Sequence, residues 1–215
     1  HNPALLAAQA DGNILPVYIL DDVNADTWKM GAASRIWLYQ SLQELDKSLS
    51  GKLRFFCGDA GNILLELIKQ TDAKSIHWNR CYEPWRIHRD KKIKGTLLGG
   101  GIGVNTHNGS LLWEPWTILK NNQTPYKVYT PYYKNGCLGA PTPRKPIPAL
   151  KKIPFAQVNA LINECSLDEL NLEPLVRWDL GIRKAWQAGE RVADSRLESF
   201  IENDLHRYKT GRDFP

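Results

Sequence analysis

Apolar and polar positions along the first half of the chain follow two alternating periods. Ile14 to Leu20 is a nearly continuous apolar run between Gly12-Asn13 and Asp21-Asp22, which predicts a strand buried on both faces. Residues 32–49 then place Leu38, Leu42, Leu45 and Leu49 at helical spacing, with Ser34 and Arg35 on the other side. Leu53 to Cys57 reads as the next strand, stopped by Gly58-Asp59, and Ile63, Leu64, Leu67 and Ile68 form the next helix face. Ser75 to Trp78 is a further strand, Pro84 opens a charged helix to about Leu98, and Ile102 to Thr106 closes the series. At the start, Asn2-Pro3-Ala4-Leu5 offers an Asn cap and a proline at the first helical position. Strands alternating with helices of this length predict βαβ units, right-handed crossovers and a parallel sheet. The expected fold class is therefore α/β, a Rossmann-like doubly wound sheet.

The texture changes after Leu111. Thr130-Pro131 reads as the cap and first position of a short helix, and the string Tyr126, Tyr129, Tyr132, Tyr133 serves either packing or base stacking. Residues 141–154 hold five prolines and predict a stiff extended connector. A last helix, from Glu190 to Tyr208, places Leu197, Phe200, Ile201, Leu205 and Tyr208 on one face. Three regions are expected: an α/β domain over 1–115, a connector with short helices over 116–188, and a helix leading onward over 189–215.

Composition narrows the class. At 42% hydrophobic and 24% charged residues the 215-residue chain is an ordinary globular protein, and no apolar run approaches a membrane span. The start lacks a signal peptide's basic flank, and four cysteines without ligand spacing suit reduced thiols, so a cytoplasmic protein is expected. The net charge of +5 reads as spread along the chain, with small clusters at Lys91–Lys94 and Arg144–Lys152, compatible with a nucleic-acid partner. The glycines at 99, 100, 101 and 103 follow a helix and precede a strand, the reverse of a phosphate cradle, and no Walker-type loop exists. Neither a catalytic triad nor a metal-ligand or paired-carboxylate arrangement stands out, so no catalytic and no metal residue is assigned.

The densest chemistry lies at KSIHWNRCYEPWRIHRD, residues 74–90, where a strand runs into a helix N-terminus and so places a tight turn at the carboxyl edge of a sheet, the edge where α/β ligands bind. Trp78, Asn79, Arg80, Tyr82, Glu83, Pro84, Arg89 and Asp90 resemble the WNRxYEPxxxxRD segment of the DNA photolyase/cryptochrome family. LLWEPWTI, then TPYKVYTPYY, then Trp178-Asp179, WQAGE and YKTGRDFP follow in that family's order, so the resemblance runs over nearly every residue from 2 to 215. Asn2-Pro3-Ala4-Leu5 resembles the D-N-P-A-L that follows the family's first strand, W-F-R-x-D-L-R; that strand is missing here, and His1 stands where the family has Asp.

What the resemblance implies is specific. The fold would be a five-stranded parallel sheet when complete. The chain would be the N-terminal domain of a deoxyribodipyrimidine photolyase, which splits cyclobutane pyrimidine dimers in UV-damaged DNA using light and reduced flavin adenine dinucleotide (FAD). The flavin domain would follow Pro215, leaving this part inactive alone and monomeric. This domain would hold an antenna chromophore (reduced folate, deazaflavin or flavin) near Trp85, Arg86 and Met30. Trp85 and Arg86 replace the Asn-Glu pair of folate-binding members, which leaves the antenna's identity open. By the same resemblance Tyr208 would touch FAD and Arg212 the DNA backbone. A cryptochrome photoreceptor is the alternative within the family, and a stand-alone nucleotide-binding α/β domain the alternative outside it.

Overall fold

In a computed structural model of the protein, which describes residues 2–213, the main elements are α1 (Pro3–Asp11), β1 (Val17–Leu20), α2 (Ala32–Ser48), β2 (Arg54–Cys57), α3 (Ala60–Thr71), β3 (Ser75–Asn79), α4 (Pro84–Gly99), β4 (Gly103–His107) and, after a long irregular stretch, α5 (Glu190–Asn203). The chain forms two compact units, one of residues 2–14 and 64–158, the other of residues 15–63 and 159–213. No described helix is long and apolar enough to cross a membrane.

In the first unit β3 and β4 pair in parallel, from Ser75 opposite Gly103 to Asn79 opposite His107. Their connection is α4, as a parallel pair requires a crossover. Pro84 takes its first turn, and Ile93 and Leu97 are its buried stripe. At α1 the expected cap is present: Asn2 Oδ1 accepts from the Leu5 amide at 3.1 Å, with Pro3 beginning the helix. The run from Ile14 does not form one strand. Ile14 instead bridges Phe155, its amide donating to the Pro154 carbonyl at 2.7 Å. Regular pairing starts only at Val17, because Pro16 has no N–H to give to a ladder. The short helix expected at Thr130 begins at Tyr129, with Val128 as its cap, and runs into a wider turn over Tyr132–Cys137. Pro131 is accommodated because a first-turn nitrogen needs no partner. Residues 141–150 adopt no regular structure, as their prolines require.

In the second unit β1 and β2 pair in parallel, Val17 opposite Arg54 through Leu20 opposite Cys57. Phe55 and Phe56 point to opposite faces and both are buried, so β2 is covered on both sides. Helix α2 is rolled from its expected orientation. Ile36, Tyr39 and Leu42 form the buried row, while Leu45 is 46% exposed. The cause is Tyr39, whose ring is buried and whose hydroxyl donates to Asp168 at 2.7 Å, an acceptor that no helical period reveals. That carboxylate pushes the phenol pKa up to about 12. Helix α5 stops at Asn203 instead of continuing to Tyr208. Asn203 turns its amide back to the Ser199 carbonyl (2.9 Å) and Asp204 engages Arg207 (2.9 Å), the local competition that makes Asn and Asp poor helix interiors. A 3-10 turn, Leu205–Arg207, and a short helix, Tyr208–Gly211, follow.

Among the described residues the strands form two parallel pairs, β1–β2 and β3–β4.

Candidate functional site

The turn after β3 is held by its own polar side chains. Asn79 ends the strand and orients α1: its Oδ1 accepts from the Ala4 amide at 3.3 Å and its Nδ2 donates to the capping oxygen of Asn2 at 2.9 Å. Gly109 leaves it the space, since a Cβ there would lie 2.6 Å from Asn79 Cγ. Arg80 donates through Nε to Glu114 at 2.6 Å and through Nη1 to the Thr106 carbonyl (2.6 Å) and hydroxyl (2.9 Å). Tyr82 donates to the same Glu114 oxygen at 2.8 Å. Burial, with Glu114 as acceptor, raises the Tyr82 pKa and keeps the phenol protonated. Glu114 of LLWEP is therefore the acceptor that joins the strand edge to the loop after β4. Sequence reading passed it over, although a carboxylate in an aromatic run was its signal.

Behind this brace lies a histidine pair. The rings of His77 and His107 stack at 5.5 Å and 9°, diagonally across the paired strands, where His77 faces Asn105 and His107 faces Asn79. His77 Nε2 lies 2.9 Å from Asp11 Oδ2, and its Nδ1 shares a hydrogen bond with His107 Nε2 at 3.3 Å. Burial, then the charges of His77 and Arg80, lowers the His107 pKa. The unfolded chain therefore takes up this proton at about pH 6.5, before the folded one does. Stability is full above that pH and is lost as the pH falls below it. The expected result is a melting temperature that drops between pH 7.5 and pH 5, with a smaller drop in His107→Gln. An equal drop in the variant would remove His107 from the account.

Trp85 and Arg86 come together on the first turn of α4. The Arg86 guanidinium lies 5.0 Å from the Trp85 ring centroid, and that of Arg89 lies 5.1 Å from it. Arg86 also approaches Glu83 at 3.8 Å and Cys81 Sγ at 3.5 Å. The half-buried ring is thus dressed with cations, and an incoming group meets guanidinium as well as indole. Met30 belongs to the other unit. It is half-buried, and its carbonyl accepts from Arg35 Nε at 3.0 Å, while Arg35 also pairs with Asp22 at 2.5 Å. The same β1 edge has a buried Asp21 carboxylate that accepts from the Asn24 amide (3.0 Å), and Asn24 Nδ2 bridges it to Asp59 (2.9 Å).

Tyr208 and Arg212 also lie together, one turn apart, with the guanidinium 6.0 Å from the phenol ring. Phe200 meets Tyr208 edge-on at 5.9 Å. Both residues are about half exposed. Leu197, Ile201 and Leu205 beside them are exposed by 50–56%. Upstream, Asp179 is fully buried and accepts from Arg177 at 3.0 and 3.2 Å and from Arg183. Burial would raise this carboxyl, but hydrogen bonds led by Arg183 hold it below the usual range.

Comparison with known proteins gives these residues a context. The family model described as DNA photolyase matches residues 1–151. The chain is 35% identical, over its whole length, to deoxyribodipyrimidine photo-lyase of Agrobacterium fabrum, of which it covers 44%. It is 32% identical to Cryptochrome-2 of Arabidopsis thaliana, over 96% of the chain and 35% of that protein. The crystal structure of a class III photolyase from Agrobacterium tumefaciens superposes with a TM-score of 0.80 at 34% identity, covering all of this chain and 44% of that one. The chain spans less than half the length of these relatives.

Proposed function

Since the chain belongs to the DNA photolyase family, we propose that it is the amino-terminal part of a light-dependent deoxyribodipyrimidine photolyase, a carbon–carbon lyase acting on UV-damaged DNA. The observation that carries this reading is the likeness in both sequence and fold, over the whole chain, to photolyases of Agrobacterium. That likeness favours repair over the photoreceptor alternative. The parent acts as a cytoplasmic monomer, with FAD held mainly outside these residues, and this part alone is inactive. FAD supplies the light-driven electron when bound. This chain offers it Tyr208, whose half-exposed ring and hydroxyl are braced by Phe200 and left accessible. The exposed apolar row of Leu197, Ile201 and Leu205 suits a surface covered by the rest of the parent protein.

Arg212 holds a phosphate of the damaged strand. A half-exposed guanidinium gains from phosphate without reading a base. In the parent protein Arg212→Ala is expected to weaken damaged and undamaged DNA by similar factors and to flatten the salt dependence of binding by about one unit of slope. The flavin spectrum should stay unchanged, whereas Tyr208→Ala should lower flavin retention first. Unchanged affinity and slope in Arg212→Ala would remove this contact.

The antenna chromophore sits at Trp85 and Arg86. Cations over the indole suit a ligand that carries carboxylates or phosphates beside a flat ring, as reduced folates, deazaflavins and flavins do. Fluorescence titration of a reduced folate and a deazaflavin should show a loss of roughly tenfold or more in affinity for Trp85→Ala. Equal binding of both chromophores by wild type and variant would place the antenna elsewhere.

A further inference from the structure

Counted by segment, the positive charge is not spread. Residues 115–158 hold no Asp or Glu and seven of the chain's 28 Lys and Arg, among them Lys120, Lys127, Lys134, Arg144 and Lys145. Outside this stretch 21 basic residues face 23 acidic ones, so the entire +5 excess belongs to it. An acid-free stretch has no internal partner for its cations, and its field acts outward on polyanions.

The stretch also sorts its tyrosines. Leu119 bridges Pro125, closing a tight hairpin in which the Lys120 amide donates to the Thr124 carbonyl at 2.9 Å. Tyr126 packs behind it against Gly136, where a Cβ would lie 3.1 Å from the ring and 2.6 Å from Ile118. Tyr132 meets Tyr126 edge-on at 6.2 Å, and Lys120 Nζ lies 6.0 Å from the Tyr126 ring. Those two tyrosines are support. Tyr129 and Tyr133, one helical turn apart, stand outward instead, their rings parallel within 4° at 5.9 Å and exposed by 73% and 43%. Exposed Lys127 and Lys134 flank them in sequence, two positions before Tyr129 and directly after Tyr133, and an open cavity of about 470 Å³ beside the hairpin is lined by Lys120, Asn121, Asn122, Tyr126 and Asn135.

We propose that this surface binds an unpaired nucleic-acid strand, with Tyr129 and Tyr133 as the base-stacking platform and Lys120, Lys127 and Lys134 neutralising phosphates. Stacking needs the face of a base, which a duplex hides and a single strand offers. An acidic peptide would use the lysines but has no use for a parallel pair of exposed rings. The residues of this surface and Arg212 belong to different units. The surface does not depend on the Arg212 contact.

The test uses the 215-residue chain and fluorescence anisotropy of an undamaged labelled oligothymidylate, with a duplex of equal length and heparin as competitors. Tyr129→Ala should weaken binding about tenfold, and Tyr129→Phe should restore it. The double variant Lys127→Gln, Lys134→Gln should lower the slope of log K against log salt by about 1.4, or roughly 0.7 per phosphate contact on a single strand. Tyr129 is exposed, so far-ultraviolet circular dichroism should be unchanged. Absence of binding at low salt overturns the proposal, as does equal competition by heparin and duplex with no effect of Tyr129→Ala. Loss of binding in Arg212→Ala, with none in the Tyr129 and lysine variants, rejects this surface and leaves the photolyase reading standing. The opposite pattern supports this surface and leaves the Arg212 contact to the test on the parent protein.

Discussion

Phe56→Ala is expected to remove about 3–5 kcal/mol of folding stability, the range for truncating an aromatic in a packed core. Phe56 is 1% exposed and sits in the middle of β2, opposite Ile19 of β1. Its neighbour Phe55 fills the other face, so the strand has no solvent side into which a gap can relax. Truncation leaves both a transfer loss and a cavity. The measurement is a urea denaturation series in which the midpoint falls while the slope is unchanged. Phe56→Leu, which conserves most of the volume, should cost under about 1.5 kcal/mol. A loss below about 1 kcal/mol for the alanine variant would mean that β2 is not the core strand of its unit.

Glu114→Ala is expected to cost about 2–3 kcal/mol, because one oxygen accepts from both Arg80 (2.6 Å) and Tyr82 (2.8 Å). Removing it strands a partly buried guanidinium and a phenol, and the cost of unpaired donors exceeds the net worth of the bonds themselves. Arg80 keeps its bonds to Thr106, so the strand edge survives while the loop after β4 loses its tether. Glu114→Gln retains an acceptor oxygen and should lose about half as much. Urea unfolding gives the magnitude, and limited proteolysis gives the place, with cleavage expected to accelerate within residues 108–118. If stability falls but that loop is no more susceptible than in wild type, the brace does not hold the loop.

Much of the local structure is legible in the residues themselves. Asn2-Pro3 starts α1, Pro84 starts α4, and the stretch from Leu53 to Cys57 contains β2. Each of these is decided by neighbours in sequence: a side-chain cap, a proline nitrogen without need of a partner, a short apolar stretch stopped by Gly58-Asp59. The turn at 79–90 was recognisable as unusual, and the family was recognisable from it. What its residues do was not. Asn79, Arg80 and Tyr82 read as recognition chemistry, yet their hydrogen bonds go to Asn2, Thr106 and Glu114 and hold the turn's own geometry. Only tertiary structure decided that, as it decided the roll of α2 through Tyr39 and Asp168, 129 positions apart. It also decided which tyrosines of 126–133 support and which face solvent, since four rings of one type carry no mark of their role. The physical reason is common to all of these. Periodicity and caps are written by bonds that close within four residues or so, whereas a hydroxyl, a guanidinium or a ring face takes whichever partner the crossover connections bring to it.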